Sequence, residues 1–187
     1  RYLNKIEELM CILHDLTPNV IAVTETWLDS DVPDTVCQLE GYTLYRKDRS
    51  SGIGGGVLCL VADEIQSCVR MPQVTCDVDV DFEILWVLIR PRVLPRPLSC
   101  IVVGVLYMPP WYCVELQKKL KNYIISSIDF FKSVYTYPGI ILCGDFNNLD
   151  TSFLAGILRL KQLVKLPTRG LNILDKFFTN FSEYFTD

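Results

Sequence analysis

Three apolar runs in this sequence each end in a residue that could do chemistry. Val20-Ile21-Ala22-Val23 leads into Thr24-Glu25-Thr26-Trp27. Ile101 to Leu106 leads into Tyr107-Met108-Pro109-Pro110, and Ile140 to Cys143 leads into Gly144-Asp145-Phe146-Asn147. Glu25 is a hard oxygen ligand for Mg²⁺, an ion that keeps several waters and needs only one or two carboxylates. Asp145 is suited to orient or deprotonate an attacking water, and Asn147 to donate amide hydrogens to a phosphoryl oxygen or nucleophile. The Tyr107 hydroxyl can stabilise charge on phosphorane-like oxygens. Together these are the groups of metal-assisted phosphodiester hydrolysis. Singly, each has a plainer role: a solvated carboxylate, a half-buried packing ring, the start of a turn. Their shared position at the carboxyl ends of buried strands, where open α/β sheets keep their sites, argues for chemistry.

The elements that must hold these residues follow from periodicity. Leu3, Ile6, Met10, Leu13 and Leu16 recur at helical spacing, which predicts an amphipathic helix over 2–15, broken by Thr17-Pro18-Asn19. Strands are predicted at 20–23, 42–46, 56–61 and 64–70, the last two joined by a tight Ala62-Asp63 turn. Two more, 82–90 and 99–107, flank a proline-rich connection from Pro91 to Pro97. Leu116, Leu120, Tyr123, Ile124, Ile128 and Phe131 share one face of a helix over 111–135. A strand at 139–143, a short helix near 152–159 and a strand near 173–179 complete the chain. This pattern predicts an α/β fold: a sandwich of two sheets flanked by helices.

Composition sets the class. The 187 residues are half hydrophobic, and residues 1–187 read as a single domain with a substantial core. The longest apolar runs fall far short of the roughly 20 residues a membrane helix needs, so no membrane partner is expected. The first ten residues are charged and amphipathic rather than a secretory signal, and the chain opens on Arg1. It is therefore expected to be cut from something longer. The eight cysteines include no C-x-x-C pair and several lie inside apolar runs, which predicts free, core cysteines in a reducing, intracellular compartment. The net charge of −4 does not advertise a nucleic-acid partner, yet a local basic rim can still hold phosphates. Arg46, Lys47 and Arg49 form the clearest basic cluster, open to two readings: a solvated loop, or phosphate contacts that position DNA. Thr168 and Arg169 have the same standing. The Gly52-Ile53-Gly54-Gly55-Gly56 run lacks the following helix of a P-loop and fits a close backbone approach ahead of a strand. Trp27 is expected to pack under the Glu25 loop, and His14 to lie on the polar side of the first helix.

Six blocks carry a resemblance: VTETWL, YRKDRSSGIGGGVLCLV, FEILWVLI, VGVLYMPP, ILCGDFNN and KLPTRGLNILDKFFTN. Their order resembles the endonuclease/exonuclease/phosphatase superfamily, whose fold is DNase I-like. The combination of TETWL, DR…GGGV and PTRG…ILD…FTN looks most like the endonuclease domain of non-LTR, jockey-type retrotransposons. The resemblance spans residues 2 to 182 and implies roles. Glu25 matches the metal-binding glutamate, and Tyr107 the active-site tyrosine. Asp145 and Asn147 match the pair that positions the nucleophile and scissile phosphate. Asp175 matches an aspartate that orients a catalytic histidine, and Glu83 fits a recurrent strand glutamate, read as a structural partner.

By the same resemblance the cofactor is Mg²⁺ or Mn²⁺ and the partner is DNA, nicked to leave a 3′-hydroxyl that primes reverse transcription. A reverse transcriptase domain is expected downstream in the parent protein, acting in the nucleus. The family opens with a strand ending in an active-site Asn and closes with a Ser-Asp-His block. This chain starts after the first and stops before the second, so the resemblance implies a domain missing its first and last strands. Two other readings stay open. One is a different phosphoester hydrolase on the same fold, such as a phosphoinositide phosphatase, a sphingomyelinase-like enzyme or an RNA deadenylase. The other is a catalytically inert truncated copy that keeps the fold.

Overall fold

The computed structural model describes residues 1–74 and 80–185. Among these residues nine strands form two sheets. The smaller contains β1 (Val20–Thr24), β2 (Tyr42–Lys47) and β3 (Val57–Ala62), in the order β1-β3-β2 and antiparallel throughout. The larger contains β4 (Gln66–Val69), β5 (Ile84–Arg90), β6 (Ile101–Tyr107), β7 (Gly139–Asp145), β8 (Lys161–Gln162) and β9 (Asp175–Thr179). Its order is β4-β5-β6-β7-β9-β8, and only the β6–β7 pair is parallel. A parallel pair needs a crossover, supplied here by α3 (Val114–Val134).

Helices cover both outer faces. Leu3, Ile6, Leu9 and Leu13, from the 3₁₀ turn Leu3–Lys5 and α1 (Ile6–Leu16), pack with Leu58 and Leu60 of β3. The short α2 (Asp34–Cys37) adds Cys37 to the same layer. On the far side, Leu120, Ile124, Ile128 and Phe131 of α3 pack on Trp86, Val102 and Leu142, joined by Phe153 and Leu154 of α4 (Ser152–Gly156). The Trp86 and Phe131 rings meet edge to face with centroids 5.2 Å apart. Between the sheets, Val57, Cys59 and Val61 face Leu85, Val87, Val103 and Val105. Strand β3 is buried along its whole length because it is covered on both faces, which is why its sequence is a continuous apolar run rather than an alternation.

The smaller sheet does not cover all of the larger one. Beyond β1, the inner faces of β7 and β9 border a cavity of about 620 Å³ whose walls include Ala22, Ile141, Cys143 and Phe177. No helix among the described residues is long and apolar enough to cross a membrane.

Most expected elements stand where the periodicity puts them. The helix expected from 111 starts at Val114, because Cys113 has extended backbone angles and Pro109-Pro110 keeps the preceding segment out of the helix. The sequence showed no signal for α2 or β8, which are too short to show a period. Not all cysteines are core: Cys37, Cys59, Cys100 and Cys143 are buried, but Cys11, Cys68 and Cys113 are exposed, on α1, on the edge strand β4 and ahead of α3. All seven are free, and Cys76 lies outside the described residues.

Because α3 holds the larger sheet by a single apolar face, neighbouring positions on it are expected to differ sharply. Ile128→Ala, at a fully buried position, is expected to cost about 2–5 kcal/mol of unfolding free energy. Asp129→Ala, one residue on and exposed, is expected to stay within about 0.5 kcal/mol. Urea denaturation of the two variants measures both.

Candidate active site

The chemistry-bearing residues converge through strand register. In the larger sheet Tyr107 of β6 lies opposite Asp145 of β7, and Asp145 lies opposite Asp175 of β9. One strand further, the Tyr107 N–H donates to the carbonyl of Glu83, just before β5, at 2.9 Å. Alternation along each strand puts these four side chains on the face toward the smaller sheet, at one end of it. The result is a polar row, Glu83–Tyr107–Asp145–Asp175, at the rim of an otherwise apolar interface. Gly144 makes the close β6–β7 approach possible. Its φ is +132°, and an added Cβ would come within 1.9 Å of the Leu106 carbonyl oxygen.

The smaller sheet supplies the facing wall. Glu25 follows β1 in the left-handed region at φ +56°. Its Oε2 accepts from the Gly55 N–H at 3.0 Å and from the Trp27 indole N–H, and its carboxylate also accepts from the Tyr107 hydroxyl. Across the same gap the buried Glu83 carboxylate accepts from the Gly56 N–H and, through Oε1, from Arg49 Nε at 2.9 Å and Nη2 at 2.8 Å. The glycine run is therefore a close approach, as the sequence predicts. A Cβ on Gly55 would stand 2.3 Å from both the Arg49 guanidinium and the Glu83 carboxylate.

Electrostatics separate the two central carboxyls. Partial burial pushes Glu25 up, but hydrogen bonds from Tyr107, Gly55 and Trp27, with the nearby Arg49 charge, outweigh it and hold Glu25 below its ordinary value. Asp145 is held above its ordinary value, first by burial and then by the negative charges of Asp175 and Glu25; the Asn147 N–H and Arg169 oppose this only in part. Burial, followed by the hydrogen bond to Glu25, drives the Tyr107 hydroxyl well above its usual range. It stays protonated as a donor.

The other expected site residues divide. Asn147, left-handed at φ +43°, donates its backbone N–H to Asp145 Oδ1 at 2.9 Å and its side-chain amide to the Met108 carbonyl at 2.8 Å. Thr168 Oγ1 accepts the N–H groups of Leu174 and Asp175 at 3.0 and 3.1 Å, which fixes the start of β9. Arg169, on the same exposed turn, acts on Asp145 through its charge. Arg49 is in the site but paired with Glu83. Arg46 is not brought there. It lies on the outer face of β2, in ion pairs with Asp34 and Asp48 and hydrogen bonds to the carbonyls of Asp29 and Val32. His14, the sole histidine of the sequence, is exposed on α1 beside Asp15. The sequence reading missed Trp111, which it placed in a helix. It stands 65% exposed in the loop after β6, with the Arg49 guanidinium 5.1 Å from its ring centroid.

The donor set fits a hard divalent cation. The charges of Glu25 and Asp175 both act on Asp145 at one rim, and among the described residues none of the three is closed by an ion pair. No group of three or more His, Cys, Asp or Glu there could hold a metal by itself; Mg²⁺, which retains waters, does not require one.

The raised Asp145 has a consequence for stability. A carboxyl whose folded pKa is raised costs the native state stability: the cost is absent below the ordinary carboxylate range, grows as pH rises from there towards the folded value, and is complete above it. Asp145→Asn keeps an acceptor for the Asn147 N–H and removes the charge. The variant is expected to melt at a higher temperature than the parent at pH 8, with the difference vanishing near pH 3. Thermal denaturation across pH checks this.

No family model matches this sequence, and no curated protein matches it. Solved structures do. The human Nocturnin catalytic domain with bound sulfate shares 14% identity, covers 97% of this chain and 76% of its own, and superposes with a TM-score of 0.66. The 3′ phosphatase NExo from Neisseria, bound to a product DNA hairpin, shares 13% identity over 95% of this chain and 82% of its own, with a TM-score of 0.61. TDP2 of D. rerio, complexed with a single-strand DNA product, shares 13% identity over 95% and 77%, with a TM-score of 0.58. The fold is the two-sheet α/β sandwich of these structures, the DNase I-like architecture expected from the sequence.

Proposed function

We propose that this domain cleaves DNA phosphodiester bonds with the help of Mg²⁺ or Mn²⁺. The observation that carries the reading is the cross-strand row Tyr107–Asp145–Asp175 facing Glu25. Glu25, held ionised, would ligate the cation, which would supply Lewis-acid stabilisation of developing charge on the phosphoryl oxygens. The protein groups do the rest. Asp145, with its raised proton affinity, aligns an attacking water and accepts its proton. Tyr107, kept protonated by burial and by Glu25, offers a hydroxyl to a phosphoryl oxygen. Asn147 has one amide hydrogen committed to Met108 and the other available for the scissile phosphate. Arg169 supplies positive charge beside Asp145, and Asp175 raises the basicity of Asp145 across the β7–β9 pair.

The finer reading, a nick that leaves a 3′-hydroxyl to prime a reverse transcriptase carried by the parent protein, rests on the TETWL, DR…GGGV and PTRG…ILD…FTN blocks. A second reading, phosphomonoester hydrolysis on nucleic-acid ends, is favoured by the likeness of the fold to a 3′ phosphatase bound to DNA.

Relaxation of supercoiled plasmid separates these. The expected result is nicking with Mg²⁺, none with EDTA, and loss of at least about 100-fold in Glu25→Ala and Asp145→Ala. Because Asp145 must be ionised to accept a proton, the rate is expected to rise with pH through its raised pKa. Release of phosphate from 3′-phosphorylated oligonucleotides without plasmid nicking would favour the second reading. Neither activity from a folded chain would contradict both.

A further inference from the structure

The polar row leaves the apolar side of the rim unexplained. On the flank built by the glycine run and the loop after β6, Ile53 is 84% exposed and Trp111 65%. Singly, exposed apolar side chains are ordinary; grouped around one depression beside a polar site they form a patch suited to contact. They belong to one assembly. Arg49, pinned by Glu83, places its guanidinium carbon 5.1 Å from the Trp111 ring centroid and 5.7 Å from that of Tyr107. Its Nη1 donates to the Ile53 carbonyl at 2.9 Å. Gly52 and Gly54, at φ +84° and +83°, let the chain turn on either side of Ile53. A depression of about 500 Å³ opens between Arg49, Ile53 and Trp111.

Trp27, 39% exposed, does not belong to this open surface. Its ring lies against Gly54, where a Cβ would meet it at 3.2 Å. The Arg1 guanidinium stands 4.5 Å from its centroid, and its indole N–H is committed to Glu25. Trp111 lacks such cover: Arg49 meets the ring, and most of its surface faces solvent.

We propose that Trp111, backed by Arg49, stacks an unpaired nucleobase of the DNA strand whose phosphate lies at the catalytic row, with Ile53 as the apolar wedge that keeps this base apart from its neighbour. The proposal rests on the nuclease reading. Aromatic stacking beside a cation suits any base, because every base has a π-face. In an intact duplex those faces are already stacked and only base edges are presented to the grooves. The site therefore favours single-stranded or locally unstacked DNA. One guanidinium lies against both the Trp111 and the Tyr107 ring, so the base site adjoins the phosphate site. Apolar wedges that part base steps are a recurrent device of DNA binding.

The test reads binding in EDTA, where no cleavage occurs. Fluorescence anisotropy compares a labelled thymidine oligonucleotide, the same-length abasic oligomer with identical phosphates, and a duplex. The wild-type chain is expected to bind the thymidine strand on the order of 10-fold more tightly than the abasic one. Trp111→Ala and Ile53→Ser are expected to remove most of that preference while leaving abasic binding unchanged. Trp111→Phe is expected to retain part of it. Val93→Ser, at an exposed apolar position in the proline-rich connection, serves as the control and should change nothing. Circular dichroism confirms that each variant is folded. Equal affinity for thymidine and abasic strands, a preference unaffected by Trp111→Ala, or no binding to any oligonucleotide would overturn the proposal. Failure of the nuclease reading is registered separately, by the absence of metal-dependent plasmid nicking.

Discussion

The site depends on one buried carboxylate. Glu83 sits just ahead of β5 in the larger sheet, with its side chain 5% exposed, and its carboxylate binds groups that flank the strands of the smaller sheet: the Gly56 N–H and the Arg49 guanidinium. A buried charge is tolerated only when paired and hydrogen-bonded. Removing one partner of such a pair typically costs about 3–5 kcal/mol, because the other is left uncompensated. The pairing does more than satisfy itself. It fixes the relative height of the two sheets at one rim, brings Gly55 within reach of Glu25, and sets Arg49 against Tyr107 and Trp111.

From that junction the arrangement follows by register. A sheet whose inner face is apolar along most of its length carries glutamate, tyrosine and two aspartates at one level of four adjacent strands. Burial, followed by the neighbouring acids, raises Asp145, which is a cost to stability and, under the proposed mechanism, what suits it to act as a base. Glu25, receiving three hydrogen-bond donors, is pushed the other way. Two carboxyls on facing sheets are thus separated in proton affinity by ordinary burial and hydrogen bonding.

The sequence makes the strands legible because burial on both faces writes continuous apolar runs, and β3 and β6 are the clearest cases. It also marks where each run meets its first polar residue, which places Glu25, Tyr107 and Asp145 at strand ends. What it does not carry is pairing: that Tyr107 faces Asp145, and Asp145 faces Asp175, is decided by contacts distant along the chain. Nor does composition say which arginine of Tyr45-Arg46-Lys47-Asp48-Arg49 points where. Strand alternation turns Arg46 outward to Asp34 and Asp48, while Arg49, past the end of β2, turns back to Glu83. Trp111 was hidden because helical spacing from Leu116 onward extends backward across it by count; the prolines before it are what hold it in a loop. The exposed cysteines were hidden for a related reason, since thiol burial depends on which face of an element is covered.

The most direct measurement of the central claim is Mn²⁺ location by anomalous scattering in crystals of the chain, with Glu25→Ala crystals alongside. The account predicts a bound ion in contact with the Glu25 carboxylate, on the side facing Asp145, and its loss in the variant. An ion bound elsewhere, or one that persists without Glu25, would contradict it.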